Sequence, residues 1–145
     1  MMRLYIAGPM TGYPQFNIPA FDSAAEDLRR LGHDVVSPAE LDDPEDRAAA
    51  LASPDGGTIH YTKGKTWGDF LARDVKLIAD GGIEGIIVLP GWSMSKGARL
   101  ETFVGHLKGL PIMAYPMLIR VDTLLLTQAW LGEQRFRDIE DLVTA

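Results

Sequence analysis

The stretch Leu4-Tyr5-Ile6-Ala7-Gly8-Pro9 decides the fold of this chain. Its first four residues are apolar and end at a turn signal, a pattern typical of a short buried strand. A helical pattern follows, with Asn17 as the expected N-cap and Gly32 as the expected stop. Val35-Val36 then forms a second short apolar run. A strand, a helix and a second strand in this order predict a βαβ unit, and therefore a parallel sheet.

The rest of the chain continues the alternation after an irregular segment at residues 41–65. Two further helices and two further strands are predicted, at Thr66–Ala79, Ile86–Leu89, Ser95–Lys108 and Pro111–Tyr115, and a brief helix is expected at Arg47–Ala52. Thr66 and Asp69 resemble a capping box at the start of the first of these helices. We therefore predict a single-domain α/β fold over residues 1–117, an open parallel sheet of the Rossmann or flavodoxin type with helices on both faces. Residues 118–145 are predicted to be a C-terminal extension, with helices at Thr123–Leu131 and Asp138–Val143. Its apolar segment Leu124-Leu125-Leu126, with Trp130, is either a subunit interface or a folded-back core element.

Composition excludes several classes of protein. The chain has 145 residues, of which 46% are apolar and 23% charged, so a disordered chain and a coiled coil are excluded. The net charge of −6 argues against a duplex nucleic acid as partner. Neither a signal peptide nor an apolar run of the ~20 residues that span a bilayer is found, so we expect no membrane association and a cytoplasmic location.

Asp74 breaks the apolar face of its predicted helix. At helical spacing it falls in the middle of a stripe of apolar side chains: Trp67, Phe70, Leu71 and Ile78. A carboxylate rarely faces a core without a partner or a function. Two interpretations are equally open: a functional acid, or a buried aspartate satisfied by a loop backbone or an arginine.

Glu101 lies between two glycines, Gly97 and Gly105, one helical turn away on either side. Because glycine costs ~1 kcal/mol in a helix interior, this pattern needs a reason. One reason is a hollow beside the carboxylate for a ligand; the other, slightly favoured by the pattern, is close packing of helix on sheet with an exposed glutamate. The apolar stripe Leu100, Val104 and Leu107 is expected to face the core.

The loops after the strands are where a ligand should bind in such a sheet. Ser95 opens a helix, and a helix start suits an anion, although on its own an ordinary N-cap is the favoured explanation. Ser93 adds a donor. Trp92 could stack on a base or simply cover the end of the sheet, and Tyr5 could reach the same crevice with its hydroxyl or be an ordinary core tyrosine. His33, His60 and His106 show no metal-ligand spacing, and no phosphate-binding glycine motif occurs, so neither a metal nor a nucleotide cofactor is expected.

Three segments together resemble the nucleoside 2-deoxyribosyltransferase superfamily, over roughly residues 3–115. They are Tyr5-Ile6-Ala7-Gly8-Pro9-Met10, Trp67-Gly68-Asp69-Phe70-Leu71-Ala72-Arg73-Asp74, and Leu89-Pro90-Gly91-Trp92-Ser93-Met94-Ser95-Lys96-Gly97-Ala98-Arg99-Leu100-Glu101. The third is similar to the phage and bacterial branch known as DUF4406, related to the 2′-deoxynucleoside 5′-monophosphate N-hydrolases.

The resemblance implies an enzyme that cleaves the N-glycosidic bond of a nucleoside or its 5′-monophosphate, without metal or cofactor. Glu101 would be the nucleophile, forming a covalent glycosyl-enzyme, and Asp74 the catalytic acid. The substrate would contact residues of three segments: Tyr5, Gly8, Pro9, Met10, Trp92, Ser93, Ser95 and Gly97. The outcome would be hydrolysis or transfer to a second base, in a homodimer or larger homo-oligomer. The alternative is a non-catalytic protein of the same fold that binds or sequesters a nucleotide.

Two departures from the resembled families bear on the substrate. Ser95 stands where transferases acting on free nucleosides carry an aspartate, which favours a phosphate-bearing substrate. The first loop has Pro9 and Thr11 where the monophosphate hydrolases carry a serine and an arginine, so a phosphate site would be incomplete or rebuilt from other donors.

Overall fold

The computed structural model describes residues 1–57 and 64–132 and contains a five-stranded sheet. Its strands are β1 (Arg3–Ala7), β2 (Asp34–Val36), β3 (Gly85–Val88), β4 (Ile112–Ala114) and β5 (Ile119–Arg120), in the spatial order β2-β1-β3-β4-β5. The strands β1 to β4 run parallel, with Tyr5 opposite both Val36 and Ile86. The predicted open α/β sheet is confirmed.

The edge strand β5 departs from the prediction, because it runs antiparallel to β4. Met113 pairs with Arg120 and Ala114 pairs with Ile119 across this edge. The strand has two exposed residues and no apolar alternation, so the sequence carried no strand signal there.

The helices are α1 (Ile18–Arg30), α2 (Pro44–Leu51), α3 (Trp67–Asp80), α4 (Lys96–Leu107) and α5 (Thr123–Leu131). Phe21 and Leu28 of α1 enter the apolar cluster on one side of the sheet. Ile78 of α3, Ala98 of α4 and Leu126 of α5 enter a second cluster, which includes Tyr5 and Val88 of the sheet. Helices on both faces are therefore confirmed.

Two of the three predicted N-caps are confirmed. Thr66 and Asp69 form the capping box of α3, and the Ser95 hydroxyl accepts from the Ala98 amide at 3.2 Å. Asn17 makes no side-chain cap; its backbone is left-handed at φ 61°, and its side chain donates to the Pro9 carbonyl at 2.9 Å. The asparagine therefore ties the helix start to the loop after β1.

The predicted core-facing stripe of α4 is wrong for Leu100 and Leu107, whereas Val104 packs against the core as predicted. Leu100 and Leu107 are 39% and 69% exposed, and the buried face consists of Ala98, Glu101, Thr102 and Gly105. Small residues bring the helix backbone against the sheet: a Cβ on Gly105 would lie 2.3 Å from Ile86 Cδ1. The close-packing interpretation thus holds at Gly105.

Beyond β4 the described chain packs back on the sheet and on α4. Trp130 of α5 donates to the Thr102 hydroxyl at 3.0 Å, and Leu126 is 4% exposed, as a folded-back core element requires. Leu124 and Leu125 on the same helix are exposed. The helix predicted at 138–143 lies outside the described residues. In the described part of the chain, no helix has the length and apolar character that a membrane crossing needs.

Candidate active site

The sheet order places the topological switch between β1 and β3, where neighbouring parallel strands send their connections to opposite faces. The loops after these strands press against each other. A Cβ on Gly8 would lie 2.9 Å from Leu89 Cβ, and a Cβ on Gly91 would lie 2.5 Å from the Tyr13 hydroxyl. Glycine at both positions lets the two loops share one edge of the sheet.

Glu101 is buried on the inner face of α4, at 6% exposure. Its carboxyl accepts a short hydrogen bond from the hydroxyl of Tyr5, a fully buried residue in the central strand β1. Burial raises the pKa of Glu101 to about 8; the Asp74 charge adds to this rise, and the Tyr5 hydroxyl opposes it. The exposed glutamate of the alternative interpretation is wrong: Glu101 is part of a buried polar cluster.

Asp74 is buried on α3, at 9% exposure. Burial raises its pKa, while the Arg73 guanidinium lowers it through a contact of 2.9 Å between Nε and Oδ1. Arg73 also reaches Asp42 with Nη1 at 2.8 Å. The arginine partner considered as an alternative is therefore present, and it is the adjacent residue in the chain.

The structure gathers Tyr5, Asp74 and Glu101 into one buried cluster from three elements: β1, α3 and α4. The charges of both carboxyls raise the pKa of Tyr5, whose main cause of elevation is its burial. A hydroxyl and two carboxyls that share a desolvated space can exchange a proton and stabilise a developing cation. Cleavage of a glycosidic bond by a pair of carboxyl groups requires both of these functions.

The structure places the other predicted contact residues on both sides of the sheet. A Cβ on Gly97 would meet only Glu101 Oε1, at 3.8 Å, so the space beside the carboxylate is open there. Trp92 packs against the apolar cluster on the side of α3 and α4, whereas Met10 packs on the α1 side. Ser93 is exposed, and Ser95 is the N-cap of the helix that carries Glu101.

The sequence pattern did not indicate that Arg73 and Asp42 belong to the site. The helical wheel places Arg73 off the apolar face, but its long side chain folds back onto Asp74. Arg73 also lines a cavity of about 230 Å³ together with Leu41, Lys65, Asp69 and Phe70. The only signal for Asp42 was its place in the acidic start of the segment at 41–65.

A larger surface cleft of about 580 Å³ lies elsewhere, between α1 and α2. Its arginines are already ion-paired: Arg29 with Glu40, Arg47 with Asp22, and Arg30 with Glu26. We assign no binding site to this cleft despite its size, because each of its arginines is already paired with a carboxylate. Within residues 1–57 and 64–132, no group of His, Asp and Glu side chains is arranged to hold a metal ion.

Comparison with known proteins identifies the family. The model of a domain of unknown function, DUF4406, matches residues 2–114, and the chain belongs to this family. No curated protein matches the chain. A crystal structure of an ABC transporter solute binding protein from Agrobacterium vitis with bound allitol is similar at 17% identity and a TM-score of 0.44, over 78% of this chain. This chain spans only 30% of that one.

Proposed function

We propose that this protein cleaves the N-glycosidic bond of a nucleoside, or of its 5′-monophosphate, through a covalent intermediate on Glu101. The observation that supports the proposal best is the buried cluster of Tyr5, Asp74 and Glu101 beside the switch point of the sheet. The resemblance to the nucleoside 2-deoxyribosyltransferase superfamily assigns roles to the same three residues.

In the proposed mechanism, a Glu101 carboxylate oxygen attacks C1′ of the sugar as the bond from C1′ to the base nitrogen breaks. Asp74 gives its proton to the departing base. Water, or the nitrogen of a second base, then attacks C1′ as its proton passes to the Asp74 carboxylate, and the bond from C1′ to Glu101 breaks, with net retention of configuration. Water gives hydrolysis, and a second base gives transfer. The Tyr5 hydroxyl donates to Glu101 and fixes the direction of the attacking oxygen.

The open side of Glu101 at Gly97 suggests where the sugar lies, close to the start of α4. A helix start with free amides and a positive dipole end suits a 5′-phosphate. The Ser95 hydroxyl accepts from the Ala98 amide, and its O–H remains able to donate to a phosphate oxygen. This favours a monophosphate over the free nucleoside. We further propose that the protein acts in the cytoplasm as a homodimer or larger homo-oligomer, with Leu124 and Leu125 at the contact.

The test is turnover of a panel of nucleosides and deoxynucleosides with their 5′-monophosphates, each with and without a second free base. Wild type should release base from at least one substrate, and Glu101→Gln should reduce the rate at least 1,000-fold while leaving substrate binding measurable. Glu26→Gln is the matched control, because Glu26 is an exposed helical glutamate on α1. Base release that is unchanged in Glu101→Gln would contradict the proposal. Tight binding of a nucleotide without any release would favour the non-catalytic alternative.

A further inference from the structure

Of the two carboxyls of the candidate site, Asp74 and Glu101, it is Asp74 that forms an ion pair with Arg73. Its guanidinium reaches Asp74 through Nε and Asp42 through Nη1, and Nη2 lies 3.5 Å from the Pro38 carbonyl. Its side chain is 29% exposed, while those of Asp42 and Asp74 are 12% and 13% exposed. The arginine therefore joins α3 to the segment after β2 through its ion pair with Asp42, while its ion pair with Asp74 lies within α3.

The two carboxyls of the candidate site thus have unlike partners. Four groups face Asp74 from the elements around it: Arg73 on α3, Asp42 after β2, Tyr5 on β1 and Glu101 on α4. Asp74 is bonded to the cation, and Glu101 is bonded to a neutral hydroxyl. Two neighbouring buried carboxyls resist double ionisation, and the member without a bonded cation keeps the proton.

We propose that Arg73 is a positioning residue that keeps Asp74 ionised and leaves the shared proton on Glu101 while the site is empty. What this arrangement means for catalysis rests on the proposed function. The proposed mechanism needs the opposite arrangement, with Glu101 ionised and Asp74 protonated. One proton must therefore move from Glu101 to Asp74 before the glycosidic bond breaks. The total charge of the pair does not change, and no co-reactant is needed.

The experiment measures the two carboxyls directly, by ¹³C NMR of the Asp and Glu side-chain carboxyl groups in the ligand-free protein between pH 3 and 10. In wild type we expect Glu101 to titrate well above Asp74. In Arg73→Gln the midpoint of Asp74 should rise by at least one pH unit, and Arg73→Lys should restore most of the wild-type value by retaining the charge. Arg29→Gln is the matched control, since Arg29 also ties a helix to the segment after β2, through Glu40 and the Val35 carbonyl.

A protonated Asp74 at neutral pH in wild type, or an unchanged Asp74 midpoint in a folded Arg73→Gln, would overturn the inference. The titration needs no turnover, so its result is independent of whether the protein cleaves nucleosides. If turnover is found, the pH profile of kcat/KM should move to higher pH in Arg73→Gln and stay in place in Arg29→Gln. A uniform loss of rate at every pH would indicate a structural role for Arg73 and count against the inference.

Discussion

Glu101 shows how one buried residue makes stability depend on pH. The pKa of its carboxyl is about 8 in the folded chain, against 4.5 for an ordinary glutamate. Between these values the folded state holds a proton that the unfolded state has released. Stability from this group is therefore full below pH 4.5 and is lost as the pH rises to about 8.

Glu101→Gln should remove this dependence, because an amide of the same shape does not titrate and still accepts from Tyr5. The free energy of unfolding of the variant, relative to wild type, should increase between pH 5 and 8 by more than ~2 kcal/mol, at about 1.4 kcal/mol for each unit of pKa shift. Urea denaturation at each pH measures it. A difference between the two proteins that is constant over this range would show that Glu101 is ionised in the folded chain at neutral pH.

At the scale of the element, α4 carries two glycines with different physical roles. Gly105 lets the helix approach β3, since an added Cβ would lie 2.3 Å from Ile86 Cδ1, and Ile86 is fully buried. Gly97 faces open space beside Glu101. The same substitution should therefore have opposite effects at the two positions.

Gly105→Ala should lower the free energy of unfolding by about 1–2 kcal/mol, because overpacking outweighs the gain in helix propensity. Gly97→Ala should be neutral, or stabilising by up to ~1 kcal/mol, while its methyl group narrows the approach to Glu101 and weakens ligand binding. Thermal and urea denaturation of both variants give the comparison. A Gly105→Ala protein as stable as wild type would mean that α4 can shift on the sheet.

At the scale of the whole molecule, the chain after β4 is joined to the domain through α5. The Trp130 indole donates to Thr102 and packs edge-on against Phe103, with ring centroids 5.1 Å apart. Thr102 is fully buried and directly follows Glu101 in α4. The contact of α5 therefore supports the helix that carries the candidate nucleophile.

Trp130→Phe should destabilise the whole domain by ~1–3 kcal/mol, since it removes a hydrogen bond and part of a packed ring. Leu125→Ala is the control on the same helix, because Leu125 is 54% exposed, and it should change stability by less than ~0.5 kcal/mol. Far-ultraviolet circular dichroism against urea follows both variants. Two separate transitions in wild type would show that α5 does not unfold together with the sheet.

Local sequence patterns are sufficient to predict the parallel core of the fold and the two acidic residues that do not suit their helices. Short apolar runs closed by turns, and helices with local caps at Thr66 and Ser95, depend on neighbouring residues, so pattern and spacing were sufficient for them. A carboxylate in an apolar stripe and a carboxylate between glycines are also local signals.

The packing of the elements, and no local pattern, sets the buried face of α4 and the side chains that meet across the fold. Apart from Glu101, the buried face of α4 is made of small residues rather than its leucines, because the close approach to β3 at Gly105 leaves no room for a large side chain there. The edge strand β5 forms because it pairs with β4, and not from a propensity of its own. Arg73 meets Asp42, 31 positions earlier in the chain, and Tyr5 meets Glu101 across 96 positions. Contacts at such separations depend on the packing of α3 and α4 against the sheet, which no local pattern encodes.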